Sequence, residues 1–301
     1  MSLLYSATSL EKGLKTKFLE YFSTENSLAD QLCFVETSAS DSEKYEWLGQ
    51  APQMSELMGE RKITPHSDTG YTLTNATYEA TIAVKRNHLE DGQTGSINRR
   101  IQQMAQTASV HVNKLVIDAL VNGTTNTCYD GTAFFGNSHT ARGDGAAFDN
   151  LEGGSGTSTA AIATDLATAK KTMLRFQDEA GEPFHADSPS QFTIVAPPEL
   201  EKNMREVLGA SMISNTSNMQ VGAANLIIST RLSDVDDWYF MRTDNLARGL
   251  LFQQRSPIEF SALESNTESS FLREVYYYGV RARYAVGYSY PQCAVKMVNA
   301  G

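Results

Sequence analysis

The residues able to carry chemistry gather between Cys128 and Ser155, and each grouping can be tested against the spacing its chemistry demands. Gly131–Ser138 reads GTAFFGNS, the spacing of a phosphate-binding loop, G-x-x-x-x-G-K-[ST]. Asn137 stands where the phosphate-contacting lysine belongs, and no helix-forming run follows Ser138, so cation and helix N-terminus are both missing. His139 stands near Asp130, Asp144 and Asp149, a set that a metal-dependent hydrolase could use. The aspartates lack calcium-hand spacing, one histidine is too few for zinc, and turn capping accounts for them more simply. Arg142-Gly143-Asp144 spells an adhesion tripeptide, a match too short to carry weight. Ser155 in GGSGTS fits neither G-x-S-x-G nor the strand-to-helix elbow that a nucleophile needs. His66, His88, His111 and His185 are scattered and form no H-E-x-x-H. Asp234, Asp236 and Asp237 suit a turn before Trp238 as well as they suit a cation. We expect no catalytic residue, no cofactor and no metal site, hence no enzyme.

The elements that hold these residues are long and mixed. Leu10, Leu14, Phe18 and Phe22 recur at four-residue steps and predict an amphipathic helix over 9–22, suited to an arm onto a neighbour or to a core. Alternation of Ala76, Tyr78, Ala80, Ile82 and Val84 with polar residues predicts a strand with one buried face. Ser96 is placed to cap a helix running to Asn122, with Gly123 as its stop. Its apolar stripe includes Ile97, Ile101, Met104, Val112 and Val116, and its length is roughly 40 Å, long beside the usual helix of about 11–12 residues.

A loop-rich stretch, 123–158, ends in the flexible EGGSGTST, and a second helix follows over 160–177. QFTIVAPPEL predicts a buried strand, a Pro-Pro turn and a short third helix. Further strands are expected at 225–230, 237–243 and 250–263, and a last long element over 272–297. Helices and strands mix without a βαβ rhythm, so the fold class is α+β. Tyrosine and arginine enrichment on this last element, with Arg281 and Arg283 on its outward side, suits subunit contacts.

Composition removes several classes of function. The 301 residues are 41% hydrophobic, enough for a sizeable core, and carry a net charge of −10. Basic residues come only in pairs, such as Arg99-Arg100 and Lys170-Lys171, without the aromatic-laced stripe of tight nucleic-acid binding. No apolar run reaches the ~18 residues of a membrane span. Cys33, Cys128 and Cys293 are widely spaced and read as reduced thiols of a protein made in the cytoplasm.

One segment resists that ordinary picture. Tyr45–Lys62 reads YEWLGQAPQMSELMGERK, with Trp47, Leu48, Met54, Leu57 and Met58 among Gly49, Pro52 and Gly59. Loops normally run polar over a surface. Burying one tryptophan gains roughly 4–6 kcal/mol before entropy costs, so these side chains call for a covering surface. We read the segment as an arm reaching for a neighbouring subunit, with Trp47, Leu48, Pro52, Met54 and Met58 buried there and Arg61 and Lys62 adding polar contacts. Phe18 and Phe22 of the first helix are candidates for the same role.

Two motifs carry a family resemblance. The first is Trp47-Leu48-Gly49-Gln50 with Pro52, Met54, Glu56, Gly59, Arg61 and Lys62. The second is Tyr129-Asp130-Gly131 with Phe134-Phe135 and His139, where Ser138 and Thr140 replace an expected acidic residue and proline. With the order of elements across essentially the whole chain, they resemble the major head (capsid) subunits of Mu-like tailed bacteriophages and prophages. The resemblance implies the tailed-phage capsid fold of the Hong Kong 97 type. Its parts would be an N-terminal arm (1–40), an extended loop with its strands (41–93), a peripheral domain around a long spine helix (94–135), an axial domain (136–270) and a returning peripheral strand (271–301). It implies hexamers and pentamers closing an icosahedral shell around double-stranded DNA contacted non-specifically, built in the bacterial cytoplasm, with no membrane. Portal, scaffold, maturation protease and a decoration protein are the implied partners. The rivals are an encapsulin-like nanocompartment shell, and a metal-dependent hydrolase using His139 and its aspartates.

Overall fold

A computed structural model describes residues 7–22, 27–46, 70–90, 94–140, 147–178, 181–185, 191–213, 216–244, 247–263 and 272–299. In chain order the elements begin with α1 (Ala7–Tyr21), α2 (Leu28–Leu32), β1 (Cys33–Thr37), β2 (Ser42–Tyr45), β3 (Tyr71–Thr74), β4 (Ala76–Lys85), α3 (Arg86–Glu90) and α4 (Thr94–Val121). The middle holds β5 (Leu151–Gly153), α5 (Thr159–Leu174), β6 (Phe192–Ala196), α6 (Glu201–Gly209), β7 (Met212–Ile213), β8 (Thr216–Ser217) and β9 (Asn225–Ile228). The chain closes with β10 (Trp238–Arg242), β11 (Leu250–Leu263), β12 (Val275–Tyr288) and β13 (Ala294–Val298). Helices and sheets are mixed without a βαβ rhythm, the expected α+β class. Among the described residues no helix is long and apolar enough to cross a membrane.

Two sheets organise the chain. The first has strand order β1-β11-β12-β4, and the second β5-β13-β10-β6-β9. In the first sheet, β12 runs antiparallel between β11 and β4. Because side chains alternate across a strand, Tyr278, Val280, Ala282 and Tyr284 face one side, where α4 packs. Ile97, Ile101, Met104 and Ala105 of α4 join Leu14 and Phe18 of α1 against Tyr278 and Val280. Val116, Ile117 and Leu120 continue the stripe into a central core with Phe134, Phe135, Tyr284 and Tyr288. The predicted spine helix is therefore real, at 28 residues and about 42 Å.

It starts two residues before the expected cap at Ser96. Its end agrees with Gly123, which follows directly in a 3-10 turn over Asn122–Thr124. A Cβ on Gly123 would come within 2.6 Å of the Phe135 ring, so close packing requires glycine there.

In the second sheet, every residue of β6 and β10 is buried. Ile194, Trp238, Phe240, Val295 and Met297 face α5 and α6, while Val195, Tyr239, Met241 and Ala294 face the central core. A strand covered on both faces reads as a continuous apolar run, as QFTIVA and DWYFM do.

The structure corrects two expectations. The element predicted over 272–297 is two strands. A 3-10 turn at Pro291–Cys293, with a proline that fixes φ and donates no hydrogen bond, sends β13 into the second sheet. The glycine-rich stretch expected to be flexible is pinned: β5 pairs with β13, and Ser155 N donates to both Asp165 carboxylate oxygens at 2.8 and 3.0 Å.

Candidate assembly site: the loop stem on the first sheet

The segment expected to reach a neighbour is carried by β2 and β3, which pair antiparallel from Ser42↔Thr74 to Tyr45↔Tyr71. This stem lies on the face of the first sheet opposite α4. Tyr45 and Leu73 pack on Leu251 and Ala285 there, the strand neighbours of the core-facing Phe252 and Tyr284.

Polar groups lock the stem in place. Gln253, fully buried, accepts from Tyr45 Oη at 2.7 Å and donates Nε2–H to Leu73 O at 3.3 Å, so one amide holds both strands. Glu43 accepts from Ala39 N at 2.8 Å, Ser40 N at 3.0 Å and Ser38 Oγ at 2.9 Å. These hydrogen bonds, the one from Ala39 first, hold its pKa at about 2. Asn75 Nδ2 donates to Ser38 Oγ and Ser40 O, closing the stem's other side. Sequence reasoning did not single out Gln253, Glu43 or Asn75. A glutamine inside the apolar run LLFQQ was the available signal, because buried amides need partners.

Of the expected contact residues, Trp47, Leu48, Pro52, Met54, Met58, Arg61 and Lys62 lie outside the described residues. Phe18 is corrected: it is 1% exposed, stacked on Phe22 at 5.4 Å and Phe260 at 5.2 Å, so its ring belongs to its own subunit's core. Phe22 is half-buried beside it. Arg283 also turns inward, with Nη2 2.6 Å from Asp41 Oδ1 at the base of the stem. Arg281 stays exposed, between Glu79 on β4 and Glu259 on β11 in register.

The Asp130–His139 loop is a structural knot. Asp130 accepts from His139 Nδ1 at 2.7 Å, Cys128 Sγ at 2.8 Å and Thr132 N at 2.9 Å. Burial works to raise its pKa, but these bonds, led by His139, outweigh it and hold the carboxyl below its usual value. Burial pushes the Cys128 thiol up. The ligand atoms of Cys128, Asp130 and His139 lie within 4.8 Å of one another; Cys128 and His139 both donate to Asp130, while His139 Nε2 has no hydrogen-bond partner among the described residues. His139 is completely buried among the described residues. Asp149 instead receives Ser138 N at 2.7 Å, and Asp144 lies outside the described residues. Phe134 and Phe135 of the same motif are buried against Tyr288 and Tyr239. Asp234 Oδ1 accepts from Asp236 N and Asp237 N, as a turn would use it.

The family model described as Mu-like prophage major head subunit gpT matches residues 7–163 and 230–300. The chain belongs to this family. Both motif regions and the stem of this head subunit fall within the matched residues, whereas β6, α6, β7, β8 and β9 lie in the unmatched 164–229. A Mu-like prophage FluMu major head subunit of Haemophilus influenzae (strain ATCC 51907 / DSM 11121 / KW20 / Rd) is 23% identical over 94% of this chain and 70% of its own length. The major capsid protein of Escherichia phage Mu is 34% identical over 36% of each chain. Among solved structures, a procapsid of bacteriophage JBD30 aligns at a TM-score of 0.56 and 24% identity, covering 97% of this chain and 75% of that one. The head subunit thus has the tailed-phage capsid fold of the Hong Kong 97 type. It is a structural protein of the virion capsid.

Proposed function

We propose that this subunit assembles into hexamers and pentamers that close an icosahedral shell around double-stranded DNA. The observation that carries the reading is the clamped stem: a two-stranded support, fixed to the sheet by buried Gln253, that holds an apolar-rich segment of more than one turn's length. A segment launched from a fixed base reaches the same place on every neighbour, and many modest contacts then add through multivalency. Trp47, Leu48, Pro52, Met54 and Met58 are the proposed contacts, with Arg61, Lys62 and the exposed Arg281 as polar ones. The role is structural rather than catalytic, assembly takes place in the bacterial cytoplasm, and portal, scaffold, maturation protease and a decoration protein are the proposed partners. In that shell the subunit divides into an N-terminal arm (1–40), an extended loop (41–93), a peripheral domain (94–135 and 271–301) and an axial domain (136–270).

Electron microscopy of the full chain expressed with its scaffold tests the reading. Closed shells of uniform diameter are expected. Subunits that never advance beyond small oligomers under those conditions would overturn it.

A further inference from the structure

A second buried polar cluster lies where the chain passes between the two sheets. After α5, residues 176–178 and 182–184 pair as a small hairpin, with Phe184 N donating to Phe176 O and Asp178 N to Glu182 O. His185, which ends it, is 5% exposed and touches both sides of the crossing. Its Nε2 lies 3.0 Å from Gln292 O, in the 3-10 turn that leads from β12 into β13. Its Nδ1 lies 2.7 Å from Nη1 of Arg242, the last residue of β10. A carbonyl only accepts and a guanidinium only donates, so the ring is held neutral, with its proton on Nε2 and a lone pair on Nδ1. Arg242 in turn donates Nε–H to Asp244 Oδ1 at 2.6 Å. Phe184 packs on Tyr290 at 5.3 Å, and Tyr290 packs against the cluster of Tyr45, Leu73, Leu251 and Ala285 under the stem.

We propose that His185 is an acid-sensitive latch: neutral, it fastens the hairpin across the sheet-to-sheet turn, and protonated, it lets the hairpin go while both sheets stay folded. The latch is a property of the single subunit and goes beyond shell formation. A proton on Nδ1 turns an acceptor into a donor, so the bond from Arg242 is lost and two cations face each other. The guanidinium cannot give up its own proton. Asp244, the one anion among the described residues that acts on the ring, already serves Arg242 and offsets the repulsion only in part. The hairpin's own carboxylates, Asp178 and Glu182, stand towards its tip, and the Cys293 thiol of the turn donates to Ala247 O. His185 therefore takes a proton most easily by leaving its seat. Burial first, with Arg242 added, holds its pKa at about 4 against an ordinary 6.5. The released ring takes its proton near 6.5 and the seated ring only near 4, so the latch is fully closed above 6.5 and weakens as pH falls towards 4. Glu43 acts in a lower window, from 4.5 to about 2. Release of the hairpin frees Phe184 from Tyr290, so acid also slackens a support of the stem.

Amide hydrogen exchange of the purified full chain, followed by mass spectrometry and corrected for the intrinsic effect of pH, tests this directly. Protection of peptides covering 176–185 and 289–293 should fall about tenfold per pH unit between about 6.5 and 4, while α4 keeps its own. H185Q should remove the step, because its amide can donate to Gln292 O and accept from Arg242 yet takes no proton. Protection lost everywhere at once, no step in the wild type, or the same step in H185Q would overturn the proposal. Exchange at the imidazole C2–H reads the titration of His185 itself, and needs no variant. A midpoint well below 6.5 is expected, and one at 6.5 would overturn the proposal. R242Q keeps the test decisive if H185Q does not fold. Without the facing cation the His185 midpoint should rise, and an unmoved midpoint would count against the latch.

Discussion

At the scale of single residues, Gln253 does the most with the least. Its amide ties Tyr45 and Leu73 from two strands to a third, and no solvent reaches it to replace a lost bond. Gln253→Leu keeps the volume but leaves buried polar partners unmatched, at a cost of about 1–3 kcal/mol; urea unfolding of the subunit measures this. Shell yield should fall as well, because the stem loses its fixed angle. Glu43 gives the stem a pH limit. Its folded pKa of about 2 lies below the ordinary 4.5, so its contribution is complete above 4.5 and is lost as pH falls towards 2. Denaturation at successive pH values across that window should show the loss, and Glu43→Gln should flatten it. His139 teaches the opposite lesson. Its sequence neighbours included three aspartates, and the structure gives it one of them, Asp130, as a hydrogen-bond partner in a completely buried position.

At the scale of elements, α1 depends on one ring. Phe18 sits between Phe22 and Phe260 and faces the N-terminal half of α4. Phe18→Ala removes about 3–5 kcal/mol of packing, a loss that falls first on the docking of α1. Limited proteolysis should then cut within residues 7–22 well before the rest of the chain unfolds, and cleavage no faster than in the wild type would count against this account. Elements with strong internal periodicity were legible from sequence. The stripe Ile97, Ile101, Met104 fixes the face of α4, and unbroken apolar runs mark β6 and β10 as covered on both faces; the alternation of β4 gives its inner side, but there only Val84 is buried, Tyr78 and Ile82 are half-buried, and Ala76 and Ala80 are exposed. What remained hidden depends on distant partners. Nothing within LLFQQ or IEFSAL says that β11 will pair with both β1 and β12, and nothing within VYYYGVRARY says that the chain beyond Pro291 will change sheets. The pinning of Ser155 by Asp165 was hidden for the same reason, since the glycines around it suggest freedom and only the fold supplies the restraint.

At the scale of the whole molecule, two sheets share one spine, and the stem projects from the side away from it. Removing residues 47–62 and joining the ends with a short turn should leave a folded subunit, because Tyr45, Leu73 and Gln253 remain. The same variant should fail to close shells by electron microscopy, and normal particles would show that the segment does not carry assembly. The three cysteines add a property of the finished particle. Cys33, Cys128 and Cys293 are free and buried in separate parts of the chain, and burial pushes all three thiols up, Cys293 to about 12. Oxidants and electrophiles react with the exposed thiolate, so a native subunit offers them almost nothing. Under an aromatic disulfide reagent, labelling should proceed only as fast as the subunit opens, and brisk stoichiometric labelling of folded protein would refute this. A particle that leaves a reducing cell for air would therefore age without accidental cross-links, and its three silent thiols would serve as an internal clock of how often the wall breathes.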